Sequence, residues 1–207
     1  MNFLKRAYLK AKLKDKRFLN LLKEYQGDEV VALDCETTGL NPKKDEILTI
    51  GAVIIKNNKI LLSQSFEVMI QPTKKINKES IKIHLIRDCD LKEAIKPKEV
   101  IEKLLNFIQN RPIVGYYINF DKAIISRYTK QFIGIALPNK TIELSSMYYK
   151  RYRKSSPYEF VDLKFDTILK ELNLPNLGKH DALNDAIMSA LIYLKLKEMP
   201  EYKGAFS

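Results

Sequence analysis

Short apolar runs alternate with segments of helical periodicity along most of the chain. Runs rich in Val, Ile and Leu predict five strands, over residues 29–35, 46–56, 59–70, 112–117 and 141–144. Apolar residues recur at helical spacing over residues 97–109, 119–132, 145–152, 162–173 and 181–198, which predicts helices there. Asn57-Asn58 between the second and third strands is typical of a tight hairpin turn. Residues 76–95 indicate short helical or irregular pieces.

The order of these elements predicts the fold class. A strand hairpin at the front is followed by alternating strands and helices, and such alternation favours parallel strands joined by helical crossovers. The sequence therefore predicts an α/β sandwich in which a mixed sheet is covered by helices on both faces. With 207 residues, the chain suits one well-buried domain with a small appendage.

The first 25 residues differ from the rest in charge and pattern. They hold eight Lys/Arg and two acids, which is most of the net charge of +11. Apolar residues from Leu4 to Tyr25 have helical spacing, which predicts one basic helix or two short ones. Two interpretations stay open: a helix whose apolar stripe packs on the domain, or an arm that binds nucleic acid or a membrane. We divide the chain into an extension (1–27), a domain (28–200) and a short tail (201–207).

Composition excludes several protein classes. The lysine-rich N-terminus has no continuous apolar core, so no signal peptide is expected, and no segment approaches the roughly 18 apolar residues of a membrane span. Cys35 and Cys89 are too few for a disulfide framework and have no metal-ligand spacing. We expect a cytoplasmic protein with reduced thiols. The positive charge favours a polyanionic partner.

Two carboxylates end the first predicted strand. Asp34 and Glu36 follow an apolar run, and side chains on a strand alternate between its faces. Both acids should therefore point to one side and Cys35 to the other. Neighbouring acids at the edge of an apolar strand repel each other, and a divalent cation can offset that cost. The alternative is a pair of exposed acids where the strand ends.

Two further polar sites lie where a strand or loop meets a helix. Asp121 follows the fourth predicted strand, with Asn119 as a candidate helix cap. His180 precedes the last helix, and Asp185 should lie in its first turns. Each acid also has a simpler explanation, because a carboxylate at a helix N-terminus is favoured by the helix dipole. A histidine such as His180 is commonly an ordinary surface residue.

Three ordered motifs resemble those of a known family. Asp-x-Glu-Thr-Thr-Gly-Leu at 34–40, Asn-Phe-Asp at 119–121 and His-Asp-Ala-x-x-Asp-Ala at 180–186 are similar to the motifs of the DEDDh 3′–5′ exonucleases, which include the proofreading subunit of bacterial DNA polymerase III and ribonuclease T. The resemblance covers about residues 28–198. It implies a ribonuclease-H-like three-layer α/β/α sandwich with a mixed sheet of roughly five strands. The second motif departs from the family, with Gly115-Tyr116-Tyr117 in place of Gly-His-Asn.

The resemblance also implies roles in a site with two Mg²⁺ or Mn²⁺ ions. Asp34 would bridge the ions, Glu36 and Asp185 would complete the position that activates water, and Asp121 would help to hold the second ion. Carboxylates suit these hard cations. His180 fits as the general base, because an imidazole titrates near neutral pH.

Other residues are expected at the substrate. The first motif would supply contacts to the terminal nucleotide, and Leu40 would wedge under its base. His84 begins His-Leu-Ile, where relatives often have His-Gly-Ile. The residues assigned to the 3′ terminus are Thr37, Thr38, Gly39, Leu40, His84 and Asn119. A basic, tyrosine-rich segment at 148–154 would contact single strands through Lys150, Arg151 and Arg153, unless it is only a solvated helix end.

We therefore predict a metal-dependent 3′–5′ exonuclease. It would release 5′-mononucleotides from single-stranded or frayed DNA in proofreading or repair. One alternative is an exoribonuclease that trims RNA, and a less favoured one is a non-catalytic nucleic-acid-binding accessory of a polymerase. Nucleic acid is the expected partner and a DNA polymerase subunit is the candidate protein partner, with no membrane involved.

Overall fold

A computed structural model describes residues 3–152, 160–178 and 180–199. Its strands are β1 (Val30–Thr37), β2 (Ile47–Lys56), β3 (Lys59–Met69), β4 (Ile113–Gly115) and β5 (Thr141–Glu143). Its α-helices are α1 (Phe3–Lys12), α2 (Lys78–His84), α3 (Pro97–Ile108), α4 (Ile118–Ile133), α5 (Leu144–Tyr152), α6 (Phe165–Glu171) and α7 (Ala182–Glu198), and a 3₁₀ helix spans Lys16–Leu22. None of the helices in this described part combines the length and apolar character that crossing a membrane requires.

The strands form one mixed sheet in the order β3-β2-β1-β4-β5. β1, β2 and β3 are antiparallel neighbours, whereas β4 runs parallel to both β1 and β5. Asn57 and Asn58, between β2 and β3, have φ of 50° and 57°. That left-handed conformation matches a two-residue hairpin turn, and Asn tolerates it. The predicted mixed sheet and its hairpin are confirmed.

Helices cover both faces of the sheet. Val31 and Leu33 of β1 belong to a core shared with α3 and α4. Val30 and Ala32, on the opposite face of the same strand, belong to a core shared with α5, α6 and α7. Because both faces of β1 are buried, its sequence is continuously apolar rather than alternating. The three-layer α/β/α arrangement is as predicted.

Helix α6 is shorter than the predicted range 162–173. The Asp162 carboxylate accepts hydrogen bonds from the Lys164 backbone N–H (3.1 Å) and the Thr167 hydroxyl (2.8 Å). These local bonds satisfy donors before the first helical turn and compete with helical pairing. The helix therefore begins only at Phe165.

The N-terminal segment is two helices, and the second buries its apolar residues far more completely than the first. Phe18 and Leu22 of the 3₁₀ helix are buried in the core beside α4. In α1, by contrast, Leu4 is 78 % exposed, Tyr8 is 56 % exposed, and no residue is buried. The packed-stripe interpretation therefore fails for Leu4 and Tyr8, whereas Leu9 of α1 is partly buried against the core.

Gly51 brings α7 against the middle of the sheet. It lies opposite Asp34 in the β1–β2 pairing. A Cβ added to Gly51 would lie 2.2 Å from the backbone carbonyl of Ala182, the first residue of α7. No side chain fits there without moving the helix, since well-packed interiors contain no empty space of that size. The glycine thus allows the start of α7 to contact the strands beside Asp34.

We expect Gly51→Ala to lower the free energy of unfolding by about 1–3 kcal/mol, because α7 or β2 must shift to admit the methyl group. Denaturant unfolding followed by circular dichroism measures this change. Ser63→Ala, on the exposed edge strand β3, is the matched control and should stay within about 0.5 kcal/mol of the parent chain. Equal stability of Gly51→Ala and the parent would contradict the close packing.

Candidate active site

Asp34 and Glu36 lie near the carboxyl end of β1, on the face that α7 covers. Glu36 is buried and Asp34 is partly buried. Cys35 lies between them and belongs to the core on the opposite face. The period-two alternation of the strand therefore separates the thiol from the two acids, as the sequence predicted.

The start of α7 brings an acid and a histidine to the same place. The Asp185 Oδ2 atom accepts a hydrogen bond from the His180 backbone N–H (3.0 Å). This bond holds His180 in a left-handed conformation with φ of 61°. Ligand atoms of Glu36, His180 and Asp185 all lie within 4.8 Å of one another. Three polar groups from β1 and α7 thus converge on one point.

Asp121 enters from the other helical layer. It lies in the first turn of α4 and is 4 % exposed. The thiol and the backbone N–H of Cys35 favour the ionised form of Asp121, which places the carboxylate beside Cys35. The first turn of α4 therefore lies against the end of β1, next to Asp34 and Glu36.

Burial and mutual repulsion disfavour charge on these acids. Burial raises the pKa of Asp121 to about 8. Burial, together with the negative charges of Asp185 and Asp181, raises the pKa of Glu36 to about 7. Burial raises the pKa of Asp34 well above its usual range, and the charges on Asp121, Asp185 and Glu36 raise it further. The site therefore favours protons or cations near neutral pH.

These groups line a single cleft of about 650 Å³. It is lined by all five residues that the sequence assigned to catalysis: Asp34, Glu36, Asp121, His180 and Asp185. Apolar side chains stand at its mouth, where Leu40 is 90 % exposed, Tyr117 61 % and Ile83 55 %. The cleft thus combines an acidic floor with an apolar rim.

Of the residues expected at the 3′ terminus, Thr37, Gly39 and Leu40 line the cleft and Thr38 does not. The Thr38 hydroxyl accepts from the Glu46 backbone N–H (3.0 Å), and its carbonyl accepts from the Ser80 hydroxyl (2.6 Å). These bonds tie the loop after β1 to β2 and α2. Thr38 therefore holds the loop in place instead of facing the cleft.

His84 is buried beside the cleft and is held by a local bond. Its Nδ1 accepts from the Ile86 backbone N–H (3.1 Å), so a neutral ring carries its hydrogen on Nε2. Nε2 is buried with no hydrogen-bond partner among the described residues. Burial, with the charge of His180, lowers the pKa of His84. Leu85, which follows His84, has φ of 59°.

The structure corrects two expectations about individual residues. Asn119 is not the cap of α4: the cap is Tyr117, in a left-handed conformation with φ of 53°, and Asn119 lies in the first turn. Its Oδ1 instead accepts from the Thr141 hydroxyl (3.3 Å), although Asn119 still lines the cleft. Arg151 is only 7 % exposed and donates to the Met147 carbonyl (3.3 Å). It therefore packs within the domain and does not lie on a nucleic-acid surface.

The other two basic residues assigned to nucleic acid in the segment 148–154 are Lys150 and Arg153, and no contact connects them with the cleft among the described residues. Lys150 is exposed on α5 and is not among the residues that line the cleft. Arg153 lies outside the described residues. Their assignment to nucleic acid stays a prediction.

Sequence reasoning missed Glu143 at the end of β5. Its Oε1 accepts from the Tyr117 backbone N–H (2.9 Å) and the Ser145 hydroxyl (3.0 Å). These bonds support the left-handed start of α4, and the residue lines the cleft. The available signal was an acid near the end of the strand predicted at 141–144. No motif marks it, because the Tyr117 backbone N–H that it accepts from is distant in sequence.

Comparison with known proteins places the chain in a family. The family model described as Exonuclease (RNase T) matches residues 31–193. A DNA polymerase III PolC-type of Caldanaerobacter subterraneus subsp. tengcongensis is 34 % identical over 82 % of this chain, but the chain spans only 12 % of that relative's length. The DNA polymerase III subunit epsilon of Aquifex aeolicus is 26 % identical over 81 % of this chain and 80 % of its own length.

Solved structures agree on the fold. Exonuclease I of E. coli in complex with a dT13 oligonucleotide matches with a TM-score of 0.70 and 13 % identity, over 83 % of this chain and 41 % of that chain. At this identity the likeness concerns the fold, and it confirms the predicted ribonuclease-H-like sandwich. The match to the family model covers most of the chain, including all three motifs. The chain belongs to the RNase T family of exonucleases.

Proposed function

We propose that this protein is a divalent-metal-dependent 3′–5′ exonuclease that releases 5′-mononucleotides from single-stranded or frayed DNA. The observation that carries the proposal is the convergence of Asp34, Glu36, Asp121 and Asp185 with His180 in one cleft. Family membership supports the reaction type. The geometry supplies the residues.

The donor set fits divalent cations. Glu36, His180 and Asp185 offer ligand atoms within 4.8 Å of one another, and burial with mutual repulsion raises the pKa values of Asp34 and Glu36. Positive charge at this point would relieve both costs. In this proposal the four acids hold two Mg²⁺ or Mn²⁺ ions. Such ions, when bound, lower the pKa of a coordinated water and neutralise charge on the leaving oxygen.

His180 would act as the general base. Its backbone is tied to Asp185, and its side chain lies beside Glu36 at the cleft. A neutral imidazole can take the proton from an attacking water near neutral pH. The bond to Asp185 fixes where the chain approaches the site, so metal ligand and base are positioned together.

The rim of the cleft suits unpaired bases. Leu40, Ile83 and Tyr117 expose apolar surface next to the acids. A base that has left a helical stack can pack on such side chains. The buried Nε2 of His84 has no partner in the described part and could donate to a substrate oxygen.

The relatives support a role near replication. The PolC-type relative and the epsilon subunit are both named as parts of DNA polymerase III. The exonuclease I structure contains a single-stranded oligonucleotide. We therefore favour DNA over RNA as substrate and proofreading or repair as the setting, with a DNA polymerase subunit as the candidate protein partner.

The activity prediction is tested with 3′-protected and unprotected strands. We expect end-labelled single-stranded DNA to be shortened from its 3′ end with Mg²⁺ or Mn²⁺ and to stay intact in EDTA. A DNA with a 3′-terminal phosphorothioate linkage is the control and should resist shortening. Faster shortening of a matched RNA would assign the protein to RNA trimming, and no shortening of either strand would contradict the proposal.

Asp185→Asn tests the metal site with little structural change. Asn keeps an oxygen that can accept from the His180 backbone N–H but removes the negative charge. We expect cleavage to fall on the order of a thousandfold, because an ionic ligand worth several kcal/mol is lost. Asp28→Asn, an exposed acid on the N-terminal side of β1, is the control. Near-parental activity of Asp185→Asn would remove this residue from the site.

The pKa shifts also predict how stability depends on pH. Because the folded-state pKa values of Glu36 and Asp121, about 7 and about 8, lie above their unfolded values, the folded protein binds more protons near neutrality. Without metal, the free energy of unfolding should therefore fall as the pH rises from about 6 to about 8.5. Thermal unfolding in EDTA measures this trend.

Two comparisons isolate the acids in that experiment. Adding Mg²⁺ should raise stability most at the upper end of the pH range, where the acids are ionised. Glu36→Gln should flatten the slope, because the neutral side chain no longer titrates. A metal-free stability that stays constant or increases over this range would contradict the predicted repulsion.

A further inference from the structure

A second cavity lies between the N-terminal segment and the start of α4. Its volume is about 640 Å³. Residues of α1 and of the chain after the 3₁₀ helix form one wall, and α4 with the segment before β5 forms the other. Five cations, Lys5, Arg6, Lys23, Lys122 and Lys140, line it, with Glu24 as the acid among the lining residues. We call this cavity the basic cavity.

Of the cations that line the basic cavity, Arg6, Lys23, Lys122 and Lys140 take part in none of the ion pairs between described residues. A few cations elsewhere are paired: Arg111, for example, bonds to Glu29. Cations left together in a concave site create a positive potential that attracts an anion.

Lys122 is partly buried, unlike the other four cations that line the basic cavity. It lies on α4 and donates to the Asn139 carbonyl (2.5 Å). A partly desolvated cation among other cations costs free energy, and a bound phosphate would offset that cost.

The basic cavity and the active-site cleft adjoin each other at the start of α4. Asp121 lines the cleft and the next residue, Lys122, lines the cavity. The Thr141 hydroxyl, in the cavity, donates to Asn119 Oδ1, in the cleft (3.3 Å). A strand whose 3′ end lies at the acids therefore needs only to cross this contact to reach the cations.

We infer that the basic cavity binds the phosphate backbone of the same single strand, a few nucleotides on the 5′ side of the end that is cleaved. This inference rests on the proposed exonuclease function and names the second part of its substrate site. A concave, positively charged groove suits the flexible backbone of a single strand. The stiff, convex surface of a duplex would not enter a cavity of this volume.

The test compares two double variants of equal charge. Lys23→Gln/Lys140→Gln removes two exposed cations of the basic cavity. Lys59→Gln/Lys92→Gln removes two exposed lysines elsewhere, and Lys59 begins β3, at the opposite edge of the sheet from β5. Neither variant touches the acids. Fluorescence anisotropy in EDTA, where cleavage cannot occur, reports binding of labelled single-stranded DNA.

We expect the cavity variant to bind a strand of about 20 nucleotides on the order of tenfold more weakly than the parent and the control. Its salt dependence should also flatten, because each lost phosphate contact lowers the slope by about 0.7. Hydrolysis of the p-nitrophenyl ester of thymidine 5′-monophosphate with Mn²⁺, a probe that reaches only the cleft, should be unchanged.

The outcomes separate this inference from the proposed function. If the cavity variant and the control bind the strand with equal affinity and equal salt slope, the inference is wrong, whatever the activity. If the cavity variant loses affinity for a duplex and not for the single strand, it is also wrong. If the parent protein cleaves nothing, but the cavity variant selectively loses single-strand binding, the exonuclease proposal is contradicted and the cavity assignment is supported.

Discussion

The repulsion among buried carboxylates at the end of β1 is the constraint on which the rest of the site depends. Asp34, Glu36 and Asp121 all have pKa values raised by burial, and for Asp34 and Glu36 neighbouring negative charges add to that effect. An isolated pair of strands would relieve such repulsion by moving the side chains apart into water. The protein prevents this because the two cores on either side of β1 fix the backbone from which the acids project. Stability is therefore given up locally, and the cost is offset by apolar burial elsewhere.

The parallel β1–β4 pairing and the close contact of α7 determine where the acids meet. Because β1 and β4 run the same way, the chain leaves both at one edge of the sheet, and α4 begins there with Asp121 in its first turn. Gly51 lets α7 begin beside Asp34, which brings Asp185 and His180 to Glu36. The functional groups thus come from three places, the end of β1, the start of α4 and the start of α7, and their positions depend on packing that lies outside the cleft.

Local patterns predicted the strands, most of the helices and the two acids at the end of β1, whereas the family resemblance implied that the acids form one site. The alternation of β1 separates Asp34 and Glu36 from Cys35, and that needs no knowledge of the partner strands. The errors arise where tertiary contacts decide. In α1 the predicted apolar stripe does not face the domain, so Leu4 and Tyr8 stay exposed, while Leu9 is the residue that packs against the core.

Single side chains were mispredicted for the same reason. Arg151 belongs to a basic segment, yet it turns inward to the Met147 carbonyl. Asn119 is a favourable cap residue by type, but the Glu143 carboxylate supports Tyr117 at that place instead. Thr38 lies within a conspicuous motif, and its bonds to Glu46 and Ser80 could be known only once β2 and α2 were placed.

The central claim is that metal ions replace protons on mutually repelling acids, and titration calorimetry of Mn²⁺ binding tests it most directly. Binding is measured at about pH 7 in two buffers with different ionisation enthalpies, because the difference in heat reports the protons released. The account predicts Mn²⁺ binding with net proton release, and less release for Glu36→Gln. Binding without proton release, or equal release by the parent and Glu36→Gln, would contradict it.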